Sequence, residues 1–185
     1  MGFEIGKTVA GYEILEVLGG SKTGVAYKVR NVFAQRIEVL KILPKNAHPE
    51  IAWHSDIPER GPLARCDRRQ LGQALTNLLQ NAIDAIAMRP GDGRIEVTVR
   101  DLGEEIMIRV ADDGIGLPDS DRARLTEPYI THKPKGTGLG LAIVKKIMED
   151  HGGRIVLEDR APEQDWEGPG AVATLYLPSQ ANDGA

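Results

Sequence analysis

The sequence predicts an α/β protein with an additional β-rich region at its N-terminus. Residues 12–43 contain three runs rich in β-branched or aromatic residues, "YEILEVL", "GVAYKVR" and "QRIEVLKIL", separated by "GGSKT" and "NVFA". From residue 51 onward, strand-like and helix-like segments alternate. Between these regions, "PKNAHPE" has two prolines and no periodicity, which is typical of a linker. We therefore expect domains at 1–46 and 47–180 and a disordered tail at 181–185.

Several elements of the second region can be predicted individually. Asp67 is a suitable N-cap for a helix that runs to about Met88, where "RPGDG" ends it. "RIEVTVRD" and "EIMIRVAD" predict a hairpin that turns at residues 102–104. A second helix is predicted over 138–151, and "RIVLED" and "AVATLYLP" predict the closing strands. The polar loop "TEPYITHKPKGTG" is long enough to suggest a functional lid.

The composition narrows the functional classes. With 185 residues, 41% apolar and 27% charged, the chain can bury a core and is typical of globular proteins. A net charge of −4 argues against a nucleic-acid partner, which requires a basic face. No apolar run approaches the roughly 20 residues that span a membrane, and Cys66 has no partner cysteine within the chain. We expect a cytoplasmic protein that binds neither nucleic acid nor membrane.

Asn77, Asn81 and Asp84 share one stripe of the first predicted helix because they are spaced i, i+4 and i+7. One interpretation is a solvated helix face. The other is a ligand-binding stripe, since asparagine is a poor helix former and its amide oxygen suits Mg²⁺. Spacing alone leaves both interpretations open.

Two glycine-containing segments can each be interpreted in two ways. In "VADDGIGLP", a strand ends in two carboxylates, and Gly114 and Gly116 permit either an ordinary turn or a pocket in which an aspartate accepts a hydrogen bond from a ligand amine. "GTGLG" enters the second helix, where free N–H groups and the helix dipole favour an anion. A dinucleotide-binding turn is the competing interpretation, but that turn should directly follow a first strand, and here a long basic loop precedes the glycines.

Together these segments resemble the ATP-binding domain of the sensor histidine kinases, in the superfamily shared with gyrase, Hsp90 and MutL. "LGQALTNLLQNAIDAI", "DDGIGLP" and "EPYITHKPKGTGLGLAIVKKI" occur in the expected order. "TEPYITHK" and "GLGLAIVKKIMEDHGG" are most similar to the nitrogen-regulation (NtrY-like) type. The resemblance covers about residues 51–178. It implies a two-layer α/β sandwich of the Bergerat type, a mixed sheet with helices on one face.

The resemblance also implies a site for ATP or ADP with Mg²⁺. Asn81 would coordinate the Mg²⁺ that bridges the phosphates, and Asn77 would support the site one turn earlier. Asp112 would accept a hydrogen bond from the adenine amino group, while Gly114 and Gly116 would shape the adenine pocket. The lid lysines and the glycine-rich segment would contact the phosphates through the following residues: Lys133, Lys135, Gly136, Thr137, Gly138, Leu139 and Gly140.

Two positions depart from the family pattern. In the ATP-hydrolysing branches, a glutamate one turn before the Mg²⁺ asparagine activates water. Here that position is Asn77, which cannot accept a proton near neutral pH, so a kinase is favoured over an ATPase. Asp84 stands where many histidine kinases have a phosphate-binding lysine, which weakens the phosphate contacts expected from this helix.

The acceptor of the phosphoryl group is not evident in this chain. Histidine kinases phosphorylate a histidine on a separate helical-hairpin domain, and none of the four histidines lies in such a predicted hairpin: His48, His54, His132 and His151. We therefore expect transfer in trans, to a His-containing domain or chain, and no transfer without it.

The N-terminal region resembles the first three strands of a Ser/Thr protein kinase. Gly19, Gly24 and Ala26 lie where its glycine-rich loop would be, Ser21 replaces the middle glycine, and Lys41 lies where its β3 lysine would be. The remaining catalytic groups of that family do not follow. We interpret the region as a structural appendage, natural or chimeric. Because a bare three-stranded sheet is only marginally stable, we expect it to form a homodimer with a second copy.

Three functions remain open at this point. The first is a histidine-kinase catalytic domain that binds Mg-ATP. The second is a non-catalytic nucleotide-binding or assembly module, for which the appendage supplies an interface. The third, which Asn77 disfavours, is an ATPase of the gyrase/MutL type.

Overall fold

The chain folds into two compact units, Met1–Pro49 and Glu50–Ala185. The structure is a computed structural model that describes residues 3–9, 12–21, 24–32, 37–42, 48–59, 61–120, 122–130, 137–161, 166 and 168–180. The predicted boundary at 46/47 and the predicted tail at 181–185 lie outside these residues.

The first unit is an antiparallel sheet in the order β1-β2-β3-β4. The three predicted strands are present as β2 (Tyr12–Ser21), β3 (Gly24–Asn31) and β4 (Ile37–Ile42). Strand β2 continues through the glycines that were predicted to separate it from β3. The sheet gains a fourth strand, β1 (Thr8–Val9), which is too short to show an alternating pattern in the sequence.

Three of the side chains that the structure describes in the first sheet are fully buried. Ile14, Tyr27 and Val29 form its fully buried cluster. Phe3 packs edge-on against the ring of Tyr27 with the centroids 6.1 Å apart, and the Phe3 amide donates to the Tyr27 hydroxyl at 3.0 Å.

The second unit contains a five-stranded mixed sheet in the order β5-β6-β7-β9-β8. Strand β5 runs parallel to β6, and every other neighbouring pair is antiparallel. This confirms the mixed sheet and the hairpin between β6 and β7. The strand bounds are as follows: β5 Ile51–Asp56, β6 Gly93–Asp101, β7 Glu105–Asp112, β8 Arg154–Asp159 and β9 Ala171–Pro178.

Two helices, α1 (Arg68–Ala87) and α2 (Gly140–Asp150), cover one face of this sheet. Asp67 caps α1, as predicted, by accepting hydrogen bonds from the backbone amides of Arg69 and Gln70 at 2.8 and 3.2 Å. The apolar stripe of α1 packs with α2 and with the alternating apolar residues of β6, β7 and β9 in one core. This arrangement confirms the predicted two-layer sandwich. Among the described residues, no helix is both long and apolar enough to cross a membrane.

Helix α2 begins later than predicted. The pattern predicted a start at residue 138, but Gly138 has φ of +66° and Leu139 is the N-cap, so the helix starts at Gly140. A left-handed residue cannot belong to a right-handed helix, and glycine adopts that conformation without steric cost. Gly138 therefore belongs to the turn that leads into α2.

His151 joins the end of α2 to the beginning of α1. Its Nε2 accepts from the Asp67 backbone N–H at 2.9 Å, and its Nδ1 lies 2.7 Å from the carbonyl oxygen of Ile147. An amide can only donate and a carbonyl can only accept. Nε2 therefore acts as the acceptor and Nδ1 as the donor. This bridge holds the two helices at the edge of the core.

Candidate functional site

A cleft of about 580 Å³ collects predicted site residues from three separate segments of the second unit. It lies between the middle of α1, the segment that follows β7, and the turn that precedes α2. The predicted site residues that line it are Asn77, Asn81, Asp112, Gly116, Thr137, Gly138 and Gly140. Gly114 and Leu139 adjoin these residues in the chain, whereas Lys133, Lys135 and Gly136 lie outside the described residues.

The asparagine stripe of α1 faces the cleft and the first residue of α2. The Asn77 side-chain amide donates to the Gly140 carbonyl oxygen at 3.3 Å. A Cβ placed on Gly140 would lie 3.9 Å from Nδ2 of Asn81, so this side chain is also directed toward the start of α2. On the same stripe, Gln80 Nε2 donates to Asp84 Oδ1 at 2.8 Å. The polar stripe therefore connects the two helices and forms one polar wall of the cleft.

Gly114 and Gly116 allow the segment after β7 to pack directly against other backbone. A Cβ on Gly114 would lie 2.5 Å from the carbonyl carbon of Ala85 in α1, and the Ile115 amide donates to the Ala85 carbonyl oxygen at 3.2 Å. Gly116 has φ of +79°, and a Cβ there would lie 3.2 Å from the Gly170 oxygen. Close approach at the first glycine and a left-handed turn at the second shape the floor of the cleft.

Asp112 is the buried carboxylate of the cleft, with 6% of its surface exposed. Its Oδ1 accepts from the Gly114 amide at 2.9 Å. The pKa of Asp112 is raised to about 6, mainly by burial and to a smaller extent by the neighbouring Asp113 charge. The Gly114 and Ala171 amides and the Arg160 charge act in the opposite direction, lowering this pKa. Asp112 can thus present an oxygen to a ligand at a buried position of the cleft.

Apolar side chains form the remaining walls, and sequence reasoning did not assign them to the site. Their alternation in strands and helices is indistinguishable from that of core residues, so no sequence signal marked them. They come from α1, the sheet and the loop segments: Leu78, Ala82, Ala85, Met88, Val110, Leu117, Leu125, Ile130, Leu157, Val172 and Ala173. An apolar cleft with a few converging polar groups suits a flat, partly polar small molecule.

The turn before α2 packs against residues 129–130. A Cβ on Gly138 would lie 2.6 Å from the carbonyl carbon of Tyr129, whose amide donates to the Gly138 oxygen at 3.0 Å. Tyr129 itself has φ of +67° and is 77% exposed. The Leu139 amide points back to Thr137 Oγ1 at 3.4 Å. The glycine-rich segment is therefore hydrogen-bonded to and packed against Tyr129, near the beginning of the predicted lid.

A second cavity, of about 620 Å³, lies at the opposite strand ends. Its lining includes Asp56, Leu63, Arg100 and Ser179, and none of the predicted site residues contributes to it. Neither His54, on the exposed strand β5, nor His151 lines the cleft around Asp112. The 580 Å³ cleft is therefore the candidate functional site.

This combination of a mixed sheet, two covering helices and a cleft between asparagine, aspartate and glycine segments defines a known class of protein. Residues 66–181 match the family of histidine kinase-, DNA gyrase B- and HSP90-like ATPases, and the chain belongs to this family.

Its relatives are sensor histidine kinases. The chain is 50% identical over 142 residues to the nitrogen regulation protein NtrY of Azorhizobium caulinodans, a match that covers 75% of this chain and 18% of that protein. The mycobacterial sensor histidine kinase MprB has a TM-score of 0.63 at 25% identity, covering 74% of this chain and 89% of that one. Full-length ShkA in complex with AMPPNP has a TM-score of 0.57 at 28% identity. This match covers 76% of this chain and 29% of that one.

The resemblance inferred from the motifs is therefore confirmed. The chain contains an ATP-binding catalytic domain of the sensor histidine kinase type. It spans about a fifth of the length of the curated relatives that it matches.

Replacing Asp112 with asparagine should stabilise the fold at neutral pH but not in acid. Since the pKa of Asp112 is raised to about 6, the folded protein retains a proton that the unfolded chain releases above about pH 4. The unfolding free energy of the parent therefore decreases as the pH rises from about 4 to 6, whereas that of Asp112→Asn lacks this decrease. We expect a gain of roughly 1–3 kcal/mol at pH 7.5 in urea unfolding, and none at pH 4.

The control is Asp119→Asn, which alters a fully exposed carboxyl group and should change neither value. An Asp112→Asn effect that is equal at both pH values would show that burial of the carboxylate is not the cause.

Proposed function

We propose that the chain acts as the Mg-ATP-binding catalytic domain of a two-component sensor histidine kinase and transfers the γ-phosphoryl group to a histidine on another domain or chain. The observation that carries this proposal is the convergence of the α1 asparagines, Asp112 and the glycine-rich turn on one cleft. Membership of the family and the ShkA complex with AMPPNP support the nucleotide assignment.

Asp112 would select the base. Its carboxylate lies at an apolar wall of the cleft and can accept a hydrogen bond from an exocyclic amine, which adenine carries. Guanine has a carbonyl oxygen at the corresponding ring position, and two acceptors facing each other in a buried pocket are unfavourable. Gly116 lines the same cleft. This end of the cleft therefore favours an adenine nucleotide.

The phosphates would lie between α1 and the start of α2. Backbone amides at the N-terminus of a helix, together with the helix dipole, favour negative charge, and Gly138 and Gly140 permit close approach. We propose that Lys133, Lys135 and Gly136 complete the phosphate contacts from the lid.

The α1 stripe fits Mg²⁺ because it offers the oxygen ligands that this ion prefers. Asn81 would hold the ion through its amide oxygen, with Asp84 three residues further along the same wall of the cleft. When bound, Mg²⁺ neutralises the phosphate charge. The protein itself orients the nucleotide and surrounds the base with apolar side chains that exclude water.

In the transfer, the bond from the γ-phosphorus to the ADP oxygen breaks as a bond to an imidazole nitrogen of the acceptor forms. The products are ADP and a phosphohistidine. Asn77 cannot act as a general base for water, and its amide is already engaged with the Gly140 carbonyl. An amide at this position in place of a carboxylate supports phosphoryl transfer over ATP hydrolysis.

Binding should depend on both ends of the cleft. We expect Asp112→Asn to weaken Mg-ADP binding by roughly 1.5–3 kcal/mol, because a hydrogen bond to a charged group is lost. Asn81→Ala should remove the part of the affinity that depends on Mg²⁺. Isothermal calorimetry with Mg²⁺ and with EDTA measures both effects. Gln73→Ala, on the exposed face of α1, is the matched control, and equal binding by all three variants would refute the site assignment.

ATP turnover with and without an acceptor distinguishes the kinase from an ATPase and from a non-catalytic module. Without an acceptor, steady-state ATP hydrolysis should remain near background, and a hydrolysis rate on the order of 1 s⁻¹ would instead indicate an ATPase. With a His-containing acceptor domain of a related kinase added in trans, we expect acid-labile phosphate on that domain. Nucleotide binding without transfer to any acceptor tested would favour the non-catalytic module.

The first unit supports a second element of this proposal, assembly into a homodimer. Val17 and Leu18 on β2 and Ile37 on β4 are each about half exposed. Covering these apolar side chains would add hydrophobic stabilisation to the sheet. A second copy of the same sheet would supply that cover by a symmetric contact.

Light scattering tests this assembly directly. The full chain should be dimeric, and a truncated chain that starts at Glu50 should be monomeric. Val17→Asp in the full chain should weaken the dimer, because a buried unpaired charge is costly. A monomeric full chain, or a dimeric truncated chain, would exclude assembly through this unit.

A further inference from the structure

Asp113, the neighbour of the cleft carboxylate, is a buried junction of three segments. It is 3% exposed. Its Oδ2 pairs with Nη2 of Arg89 at 2.9 Å, and its Oδ1 accepts from the Arg94 amide at 2.8 Å. Its backbone oxygen accepts from Nε of Arg89 at 2.7 Å. The residue next to the proposed base-recognising carboxylate is therefore bound to the end of α1 and to the start of β6.

Arg89 has more partners than the ion pair alone. It lies just beyond the C-cap of α1, and its side chain is only 11% exposed. Besides Asp113, its guanidinium donates to the carbonyl oxygens of Pro90 and Asp92 at 3.0 and 2.5 Å. The planar, permanently charged fork thus fixes the turn between α1 and β6 and connects it to the segment after β7.

Residues 168–170 pack against the other side of the segment that follows β7. A Cβ on Gly168 would overlap the Asp113 carbonyl oxygen, and one on Gly170 would overlap the Asp112 carbonyl oxygen. The Gly170 amide also donates to the Gly114 oxygen at 3.1 Å. The segment that carries Asp112 is therefore held between the end of α1 and this backbone.

A buried ion pair contributes little net free energy of folding, because both ions lose their hydration. Well-packed apolar residues often stabilise as much. The ion pair differs from apolar packing in being directional. The planar guanidinium of Arg89 contacts both the carboxylate and the backbone oxygen of Asp113 and so fixes their orientation. Recognition of a base by a single carboxylate requires placement to within about 0.5 Å.

We propose that Arg89 and Asp113 are positioning residues for base recognition: their ion pair sets the Asp112–Gly116 segment so that Asp112 faces the base. This inference rests on the proposed nucleotide function. It predicts a loss of selectivity between adenine and guanine rather than a uniform loss of binding, because the phosphate contacts come from other segments.

The test compares Mg-ADP and Mg-GDP binding by calorimetry on the full chain. The variants are Arg89→Met, Asp113→Asn and the double variant. We expect each single variant to weaken ADP binding about tenfold and GDP binding less than about twofold, and the double variant to resemble the singles because one coupled pair is lost. Arg89→Lys, which keeps the charge but not the fork, should recover ADP affinity only in part.

The matched control is Arg100→Met, which removes an arginine–aspartate pair with Asp56 far from the cleft and should keep the parental ADP-to-GDP ratio. Thermal unfolding gives the folded fraction for each variant. The double variant leaves no unpaired charge of this pair. If Arg89→Met does not fold, the double variant and Asp113→Asn therefore decide whether the pair has a positioning role.

The outcomes separate the two claims. A parent that binds neither nucleotide overturns the proposed function and this inference with it. A parent that prefers ADP, with folded Asp113→Asn and double variants that keep the parental ratio, overturns the positioning role alone.

Discussion

The structure of the second unit depends on the close approach of the segment after β7 to the C-terminal part of α1. Gly114 makes this approach possible, because any side chain there would overlap the Ala85 backbone. The contact places Asp112 at the end of its strand but inside the cleft, opposite the asparagine stripe of the helix. The same helix contributes Leu78 and Ile86 to the core, so folding the core and forming the cleft are one event.

Burying Asp112 is unfavourable for stability, and the protein retains it. A carboxyl group with a raised pKa is poorly solvated, and two backbone amides and Arg160 only partly compensate. Functional sites commonly retain such groups, because a desolvated acceptor discriminates strongly between ligands that satisfy it and ligands that do not. The adjacent Asp113 shows the opposite arrangement, with its charge fully paired in a similarly buried position.

The two units differ in how they achieve stability. The second has a continuous core that includes both helices and the alternating residues of its sheet. Among the side chains that the structure describes in the first unit, Ile14, Tyr27 and Val29 are fully buried and several apolar residues on the strands are half-exposed.

The sequence by itself determined most of the second unit, because its strands alternate cleanly and α1 has both a cap and an apolar stripe. Through the resemblance of its motifs to a known family it also singled out Asn81, Asp112 and the glycines of the cleft, but not Gln80 or Asp119. Only the tertiary structure decided the apolar walls and the start of α2, because core and cleft residues share one pattern and because left-handed φ at Gly138 is a tertiary outcome. The Arg89–Asp113 pair was likewise hidden, since 24 positions along the chain separate two residues that meet only when α1 packs against the sheet.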